Sequence, residues 1–371
     1  MSTRILTLRT ALLLCLALAL LAVAAVPALG AAPGYGLYFG DLHAHTGYSD
    51  GASGTTPWDA FPAAIAAGAD FMALTEHYST SNAYEPWTMN EWEWADLKAA
   101  AAHYTSRSFV ALPAYEYWLL ADVGEINTYG IAELPPKQVF LGPDRLARYQ
   151  EWIEAHGGVG QFNHPNYVTH DFKDFAGWTA TRDAAMGMLE VYNDGYIEAS
   201  YVKALDAGWH VLPSANSDTH DADWIAGEDT RTVLLARSLS ATDLTAAMRA
   251  QRGYGTLDKN LHIRFSVNGG VMGSTLPRSS RYAADVRIWD PDALAGDTGD
   301  AVTKVEIVSG GGAVVRALSL STSAGSKTIT WRPSLPTKAK YFWVRVTTAS
   351  ADTAGGAPGV TAWTAPVWTG R

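Results

Sequence analysis

The stretch Tyr38 to Gly51 reads YFGDLHAHTGYSDG and sets His43 and His45 two positions apart, behind Asp41. On an extended strand that spacing turns Asp41 and both imidazoles to one face, with Leu42 and Ala44 on the other. Neutral imidazole is a strong ligand for zinc, manganese or iron, and two ligands on one rigid strand end lose little entropy when an ion arrives. A half-buried strand with polar residues outward has the same spacing, so the pair alone leaves both readings open. Further along the chain come Thr75-Glu76-His77, Tyr115-Glu116-Tyr117, Asn163-His164-Pro165-Asn166, Glu190 to Asp194 and Asn216-Ser217-Asp218-Thr219-His220. His43, His45, Asp50, His77, Glu116, His164, Asp218 and His220 are more ligands than one ion needs. Such a mixed imidazole and carboxylate set suits two or three divalent ions that share bridging carboxylates. A short extended stretch would also put Asp218 and His220 on one side.

These groups need a frame that collects them. From Gly36 to about Asp258, strand-like apolar runs alternate with helical patterns. The strands are expected at Leu37–His43, Asp70–Thr75, Phe109–Tyr115, Gly158–Phe162, Gly187–Tyr192, His210–Ser214 and Thr232–Ala236. Helices are expected at Pro57–Ala67, Asn90–Tyr104, Pro143–His156, Ile197–Ala207 and Ala241–Arg252. The alternation argues for an α/β domain of parallel strands wrapped by helices, barrel-like, in which catalytic groups sit at the C-terminal strand ends. The polar clusters fall at those ends. After Asp258 the texture changes to about seven short alternating segments between His262 and Val367, the pattern of a β-sandwich of immunoglobulin or fibronectin type. It lacks the cysteine pair of a disulfide-linked immunoglobulin domain. The division expected is 35–258 and 261–371, with the boundary in Thr256–Asn260.

Composition narrows the class. Of 371 residues, 48% are hydrophobic and 17% charged, the balance of an ordinary globular protein. Arg4 and Arg9, the uncharged run Ala11–Val26, Pro27 and the small residues that follow have the order of a secretory signal peptide over residues 1–32. The expected address is therefore secreted or periplasmic; an uncleaved membrane anchor is the alternative. The single cysteine, Cys15, lies within that run, so the remaining chain has no disulfide. There are 27 basic and 37 acidic residues; without Arg4 and Arg9 the remainder stands at −12. So acidic a protein has no electrostatic footprint for nucleic acid or anionic lipid, and if it handles phosphate, bound cations must supply the attraction.

The segments HAHTGYSDG, ALTEH, LPAYE, FNHPN and NSDTH, in this order over Tyr38 to Leu261, resemble the motifs of the PHP (polymerase and histidinol phosphatase) family, in particular exported hydrolases of the CehA/McbA type. The ending Ala362 to Val367, with Trp368, resembles that group too. The resemblance implies a distorted (β/α)7 barrel, two or three ions of Mn, Zn or Fe, and hydrolysis of phosphate or related esters. It places His43 and His45 at the opening pair and Asp50 at the acidic position. His77 takes the T-D-H position, with Glu76 for the usual Asp, Glu116 the bridging glutamate, His164 the His-Pro ligand, and Asp218 with His220 the closing pair. Where the family often has a histidine in a G-H-I-N-like segment, this chain has Gly124-Glu125-Ile126-Asn127; Glu125 is an oxygen ligand, or a third metal position is weakened. Amidohydrolases also open with HxH, but they add a bridging lysine on a middle strand, which this chain lacks.

A divalent cluster lowers the pKa of bound water towards ~7, so hydroxide can attack phosphorus or a carbonyl carbon at neutral pH. Asp218 and His220 either manage the proton or bind metal. The expected function is an exported phosphoesterase acting on a small-molecule ester. Carboxylester or carbamate hydrolysis at the same centre is the alternative, and a noncatalytic surface- or carbohydrate-binding protein is the rival from another class. Arg231, opening its strand, is expected at the far end from the ligands, in a surface ion pair. His103, His156, His210 and His262 read as structural. His170 sits in a loop that could line the mouth, Glu190 and Asn193 could support the ligands, and Trp87, Trp92 and Trp94 read as packing.

Overall fold

In the computed structural model the described residues are 34–79, 87–118, 123–136, 142–165, 172–351 and 359–370. Residues 1–32, the expected leader, and His170 lie outside them. Tyr35 to Arg371 form one unit.

Its N-terminal part runs β1 (Gly36–Asp41), α1 (Pro57–Ala66), β2 (Phe71–Tyr78), α2 (Glu91–Tyr104), β3 (Val110–Trp118), β4 (Glu125–Tyr129), α3 (Arg145–Ala155), β5 (Val159–Phe162), α4 (Ala180–Ala185), β6 (Met186–Tyr192), α5 (Glu198–Ala207), β7 (Leu212–Ala215), β8 (Arg231–Ala236), α6 (Ala241–Arg249) and β9 (Gly253–Thr256). Local chemistry fixes the ends. Asn90 caps α2 by accepting from Trp92 and Glu93 N–H, and Glu93 accepts in return from the Asn90 N–H. Gly208 closes α5 in the left-handed region. β2 is buried at every position, as expected of a strand covered on both faces.

The strands lie side by side in the order β9-β8-β1-β2-β3-β4-β5-β6-β7. β1-β2-β3 and β5-β6-β7 are parallel, as the alternation suggests. The expectation of parallel strands throughout is corrected at three places: β4 is antiparallel to both β3 and β5, β8 is antiparallel to β1, and β9 to β8. Six residues separate Trp118 from Glu125, too few for the crossover of about a dozen residues that a parallel pair requires. At Gly40 the first two strands approach so closely that a Cβ would lie 2.1 Å from the Phe71 carbonyl oxygen. The ends of the series meet through side chains: Thr232 Oγ1 on β8 accepts from Ala215 N–H on β7 and donates to the Ala215 carbonyl.

The C-terminal part contains β10 (His262–Val267), β11 (Gly270–Val271), β12 (Thr275–Leu276), β13 (Tyr282–Trp289), α7 (Pro291–Ala295), β14 (Val302–Ser309), β15 (Ala313–Ser319), α8 (Thr322–Gly325), β16 (Ile329–Trp331), β17 (Ser334–Leu335), β18 (Tyr341–Thr348), β19 (Ala362–Thr364) and β20 (Val367–Thr369). β11-β10-β13-β16, with β17 on β13, form a separate sheet. β12, β14, β15, β18, β19 and β20 form the other layer, and β19 pairs antiparallel with β9, so this layer continues the N-terminal sheet. Ile263, Phe265, Val286 and Ile288 from one sheet and Val305, Ile307, Phe342 and Val344 from the other share one hydrophobic core.

Candidate metal centre

The ladder of β1 stops at Asp41, and other contacts hold the chain from there to His45. His43 C=O accepts from Asp218 N–H at 2.9 Å, His45 N–H donates to Thr219 C=O at 3.0 Å, and Ala44 C=O accepts from Thr75 N–H at 2.9 Å. Tyr129 and Trp224 side chains donate to the Leu42 and His45 carbonyls. Both imidazoles are fully buried.

Around them the nine residues singled out in the sequence come together in three overlapping sets. One is His43, His45, Glu116 and Asp218; a second is His45, Asp50, His77 and His220; a third is Glu116, Glu125 and His164. Within each set the donor atoms lie within 4.8 Å of one another, and His45 and Glu116 each belong to two sets. Glu116 Oε2 lies 3.1 Å from His43 Nε2 and from His77 Nδ1, while Oε1 lies 3.3 Å from His164 Nε2. Asp218 Oδ1 is 3.0 Å from His43 Nε2 and 2.9 Å from His45 Nε2. Asp50 reaches His220 Nε2 at 3.2 Å and His77 Nε2 at 3.4 Å.

The antiparallel strands explain two placements. β4 begins where β3 ends, with Glu125 paired to Trp118, so Glu125 enters at the ligand end and lies 3.2 Å from His164 Nε2. Likewise Thr232 pairs with Gly40, which puts Arg231 at the ligand end of the sheet and corrects the expectation of the far end. Its guanidinium is buried and donates to the Ile225, Glu228 and Thr230 carbonyls, so it braces a loop in place of forming a surface ion pair. Asp218 is not extended: its φ is +51°, and it joins the inner set while His220, with a side chain 40% exposed, joins the outer. His164 also has a positive φ, +27°. Such conformations in non-glycine residues are held only where surroundings impose them.

A ring of polar side chains aims the nine. Buried Glu190 accepts from His164 N–H, Gln161, Asn193 and Asn216, and its Oε1 is 2.9 Å from His43 Nδ1. Asn163 donates to Glu116 at 2.6 Å and Asn193 to Asp218 at 3.1 Å. Glu76, the departure from the usual Asp, stays out of the cluster: it accepts from Thr46 N–H, Thr46 Oγ1 and Ser49 Oγ and fastens the loop after His45. The Trp118 ring stacks on His77 with centroids 5.2 Å apart. Trp118, Gln161 and Asn127, which donates to the Leu42 carbonyl, went unmarked because no spacing rule distinguishes them from ordinary core residues. Trp94 is buried, as expected of packing, whereas Trp87 and Trp92 are exposed. His156 and His262 donate to the nearby carbonyls of Trp152 and Asn260, and His210 pairs with Asp183.

Electrostatics bind the cluster. Burial alone would raise the Glu116 carboxyl, but the charges of His43 and His77 and hydrogen bonds from His164 and His43 hold it well below the usual carboxylate range. Burial lowers His43, and Asp218, Glu116 and Glu190 outweigh it and lift the imidazole well above its ordinary value. The donors fit divalent cations on three counts. Nitrogen and carboxylate oxygen are the donor mixture of Zn, Mn and Fe sites. Four carboxylates with imidazoles neutral, as ligation requires, leave a charge that two divalent ions would balance. His77 Nδ1 is buried and faces Glu116 Oε2 at 3.1 Å without the geometry of a hydrogen bond. A cleft of about 350 Å³ opens onto Asp218 and His220; its lining includes Asp194, Asp223 and Glu228, and no Lys or Arg lines it among the described residues. A larger cavity, about 1010 Å³, is lined by Trp178, His210, Arg278 and Trp368 and by none of the nine.

No protein-family model matches the chain, and no curated protein matches its sequence. Solved structures with a similar chain course include a two-domain protein containing a predicted PHP-like metal-dependent phosphoesterase from Bacteroides vulgatus, at 17% identity over 90% of this chain and 96% of that one, with a TM-score of 0.48. PsfC from Pseudomonas syringae is 16% identical over 57% of this chain and 88% of its own (TM-score 0.38). An amidohydrolase from Chromobacterium violaceum with bound sulfate and no metal is 18% identical over 49% and 87% (TM-score 0.31).

Proposed function

We propose that this protein is an exported, metal-dependent hydrolase of the PHP type, a phosphoesterase for a small-molecule ester. The observation that carries the reading is that Glu116 is shared between neighbouring donor sets, Oε2 towards His43 and Oε1 towards His164, as a carboxylate that bridges two ions is. On this reading β1–β3 and β5–β8, with β4 added between β3 and β5, are the distorted (β/α)7 barrel, supported by the Thr232–Ala215 contacts, and 261–371 a β-sandwich, supported by the core its two layers share.

His43, Glu116 and Asp218 would hold one ion, Asp50, His77 and His220 a second, with His45 a ligand to one of these two, and Glu116, Glu125 and His164 a third. Such ions, when bound, supply Lewis acidity towards an ester oxygen and bring the pKa of a water down to about 7. The chain's own groups do the rest. Glu190 holds His43 by Nδ1, leaving Nε2 to face the cluster. Asn163 and Asn193 keep the Glu116 and Asp218 carboxylates aimed. Asp218 lies between the buried set and the cleft, placed to take a proton from the attacking water. His220 Nε2, at the exposed rim, either completes the second set or, where it is not a ligand, returns a proton to the leaving oxygen.

The acidic lining of the cleft, with no Lys or Arg among the described residues, supports a second reading, in which the same groups act on a neutral carboxyl or carbamate ester. A panel of phosphomonoesters, phosphodiesters and carboxylesters with added Mn or Zn tests the choice. Turnover of phosphoesters, lost together with bound metal in His43→Ala and Asp218→Ala, is expected. Turnover confined to carboxylesters would select the second reading, and full phosphoester activity in either variant would refute the first.

A further inference from the structure

A second group of acidic residues lies away from this centre, where the N-terminal part passes into the C-terminal strands. Asp258 is in the connector between β9 and β10, Asp290 follows β13, and Asp300 precedes β14. One carboxylate oxygen from each falls within 4.8 Å of the others. Two oxygens about 2.4 Å from a shared calcium ion are at most about 4.8 Å apart, so the span is that of ligands around one ion.

Carboxylates alone would not make this a site, because acidic clusters are common on surfaces. Here a second feature points to a ligand. The Asp290 side chain is buried, with a residue exposure of 3%; its Oδ1 accepts from Ala293 N–H, but its Oδ2 has no hydrogen-bond partner. Next to it in the connector, Asn260 donates its backbone N–H to Asp258 Oδ1 and its Nδ2 to Asp292, while its own buried Oδ1 is also without a partner. A buried acceptor left unsatisfied costs about 1–3 kcal/mol, more when charged. Lys259, the basic side chain beside the group, has its ammonium 3.2 Å from Asp292 Oδ2.

We propose that Asp258, Asp290 and Asp300 bind a calcium ion that fastens the 257–261 connector to the 290–300 loop. The donors are all oxygen, with no imidazole or thiol, which selects a hard cation over the transition metals suited to the histidine cluster. A cavity of about 270 Å³, lined by Asp258, Asp292, Asp300 and Ser350 among others, leaves room for water to complete the six to eight ligands calcium takes. The loop is already anchored for this role: Gly299 C=O accepts from Ser350 N–H and Ala301 C=O from Ala349 N–H. The inference stands apart from the hydrolase reading, because the two sets share no residue.

Calorimetric titration of the full chain with CaCl2, together with its Tm with and without calcium, tests the site in protein whose Mn, Zn and Fe content has been measured. One calcium per chain and a higher Tm in calcium are expected. In Asp300→Asn, calcium affinity should fall about tenfold or more, because affinity follows ligand charge, with transition-metal content and turnover unchanged. In calcium-free buffer that variant should be at least as stable as the wild type, since one repelling charge is gone. Absence of calcium binding, equal binding by the wild type and both Asp290→Asn and Asp300→Asn, or a destabilised Asp300→Asn in calcium-free buffer would each overturn the proposal.

Discussion

Glu190 shows how much of the centre depends on residues that need never touch an ion. Its carboxylate receives Gln161, Asn193, Asn216 and the His164 N–H and faces His43 Nδ1, so it sets which nitrogen of His43 is free for the cluster. Loss of such a supporting group typically costs 10- to 100-fold in metal affinity or activity. Glu190→Ala should therefore weaken metal binding by about that factor with the fold retained, measured by competition with a chelating dye; unchanged affinity would show that His43 is oriented by packing alone. Glu228 makes a different test. Burial first, then the charge of Asp41, pushes its carboxyl up to about 7, against the partial relief of the Thr230 hydroxyl. A carboxyl raised in the folded state binds a proton more tightly there than when unfolded, so it lowers stability as pH rises from its ordinary 4.5 to about 7. Glu228→Gln should thus match the wild type in Tm near pH 4.5 and exceed it above pH 7. A variant less stable at pH 8 would contradict the assignment.

At the scale of elements, what the sequence shows depends on whether the signal is local. His43, His45, Glu116, His164 and Asp218 stand out because each closes an apolar run, and the structure brings them to one place. The C-terminal strands were legible for the same reason: along Tyr282–Trp289 buried residues alternate strictly with more exposed ones. β4 was not legible, because all of Glu125–Tyr129 is buried and a short polar strand without alternation has no period to detect. Strand direction was not legible either, since periodicity is the same read up or down a sheet; this is why Arg231 was expected at the wrong end. The geometry of Asp218 escaped for a related reason: a left-handed φ at a non-glycine residue is imposed by contacts distant in sequence, here His43, 175 positions away by backbone hydrogen bond to Asp218 N–H.

For the molecule as a whole, the pairing of β19 with β9 matters most. It carries the sheet from the strands that position the histidines into the C-terminal layer without a break, and one hydrophobic core contains Leu212, Val233 and Tyr254 together with Phe342, Val344 and Ala362. Tyr35 to Arg371 should therefore unfold in a single step, with far-UV circular dichroism and tryptophan fluorescence giving the same midpoint in urea. Two separate midpoints would show that the C-terminal strands fold independently of the site. Removing bound metal should lower that common midpoint, because an ion that binds only the folded chain stabilises it by mass action.

The central claim is that one carboxylate, Glu116, holds neighbouring metal positions together. Elemental analysis of the purified wild type beside Glu116→Ala and Asp50→Asn tests it most directly. Two or three divalent ions per wild-type chain are expected, with Asp50→Asn losing the position it shares with His77 and His220, and Glu116→Ala losing more. Wild-type metal content in Glu116→Ala, or no metal in the wild type even after incubation with Mn or Zn, would contradict the account.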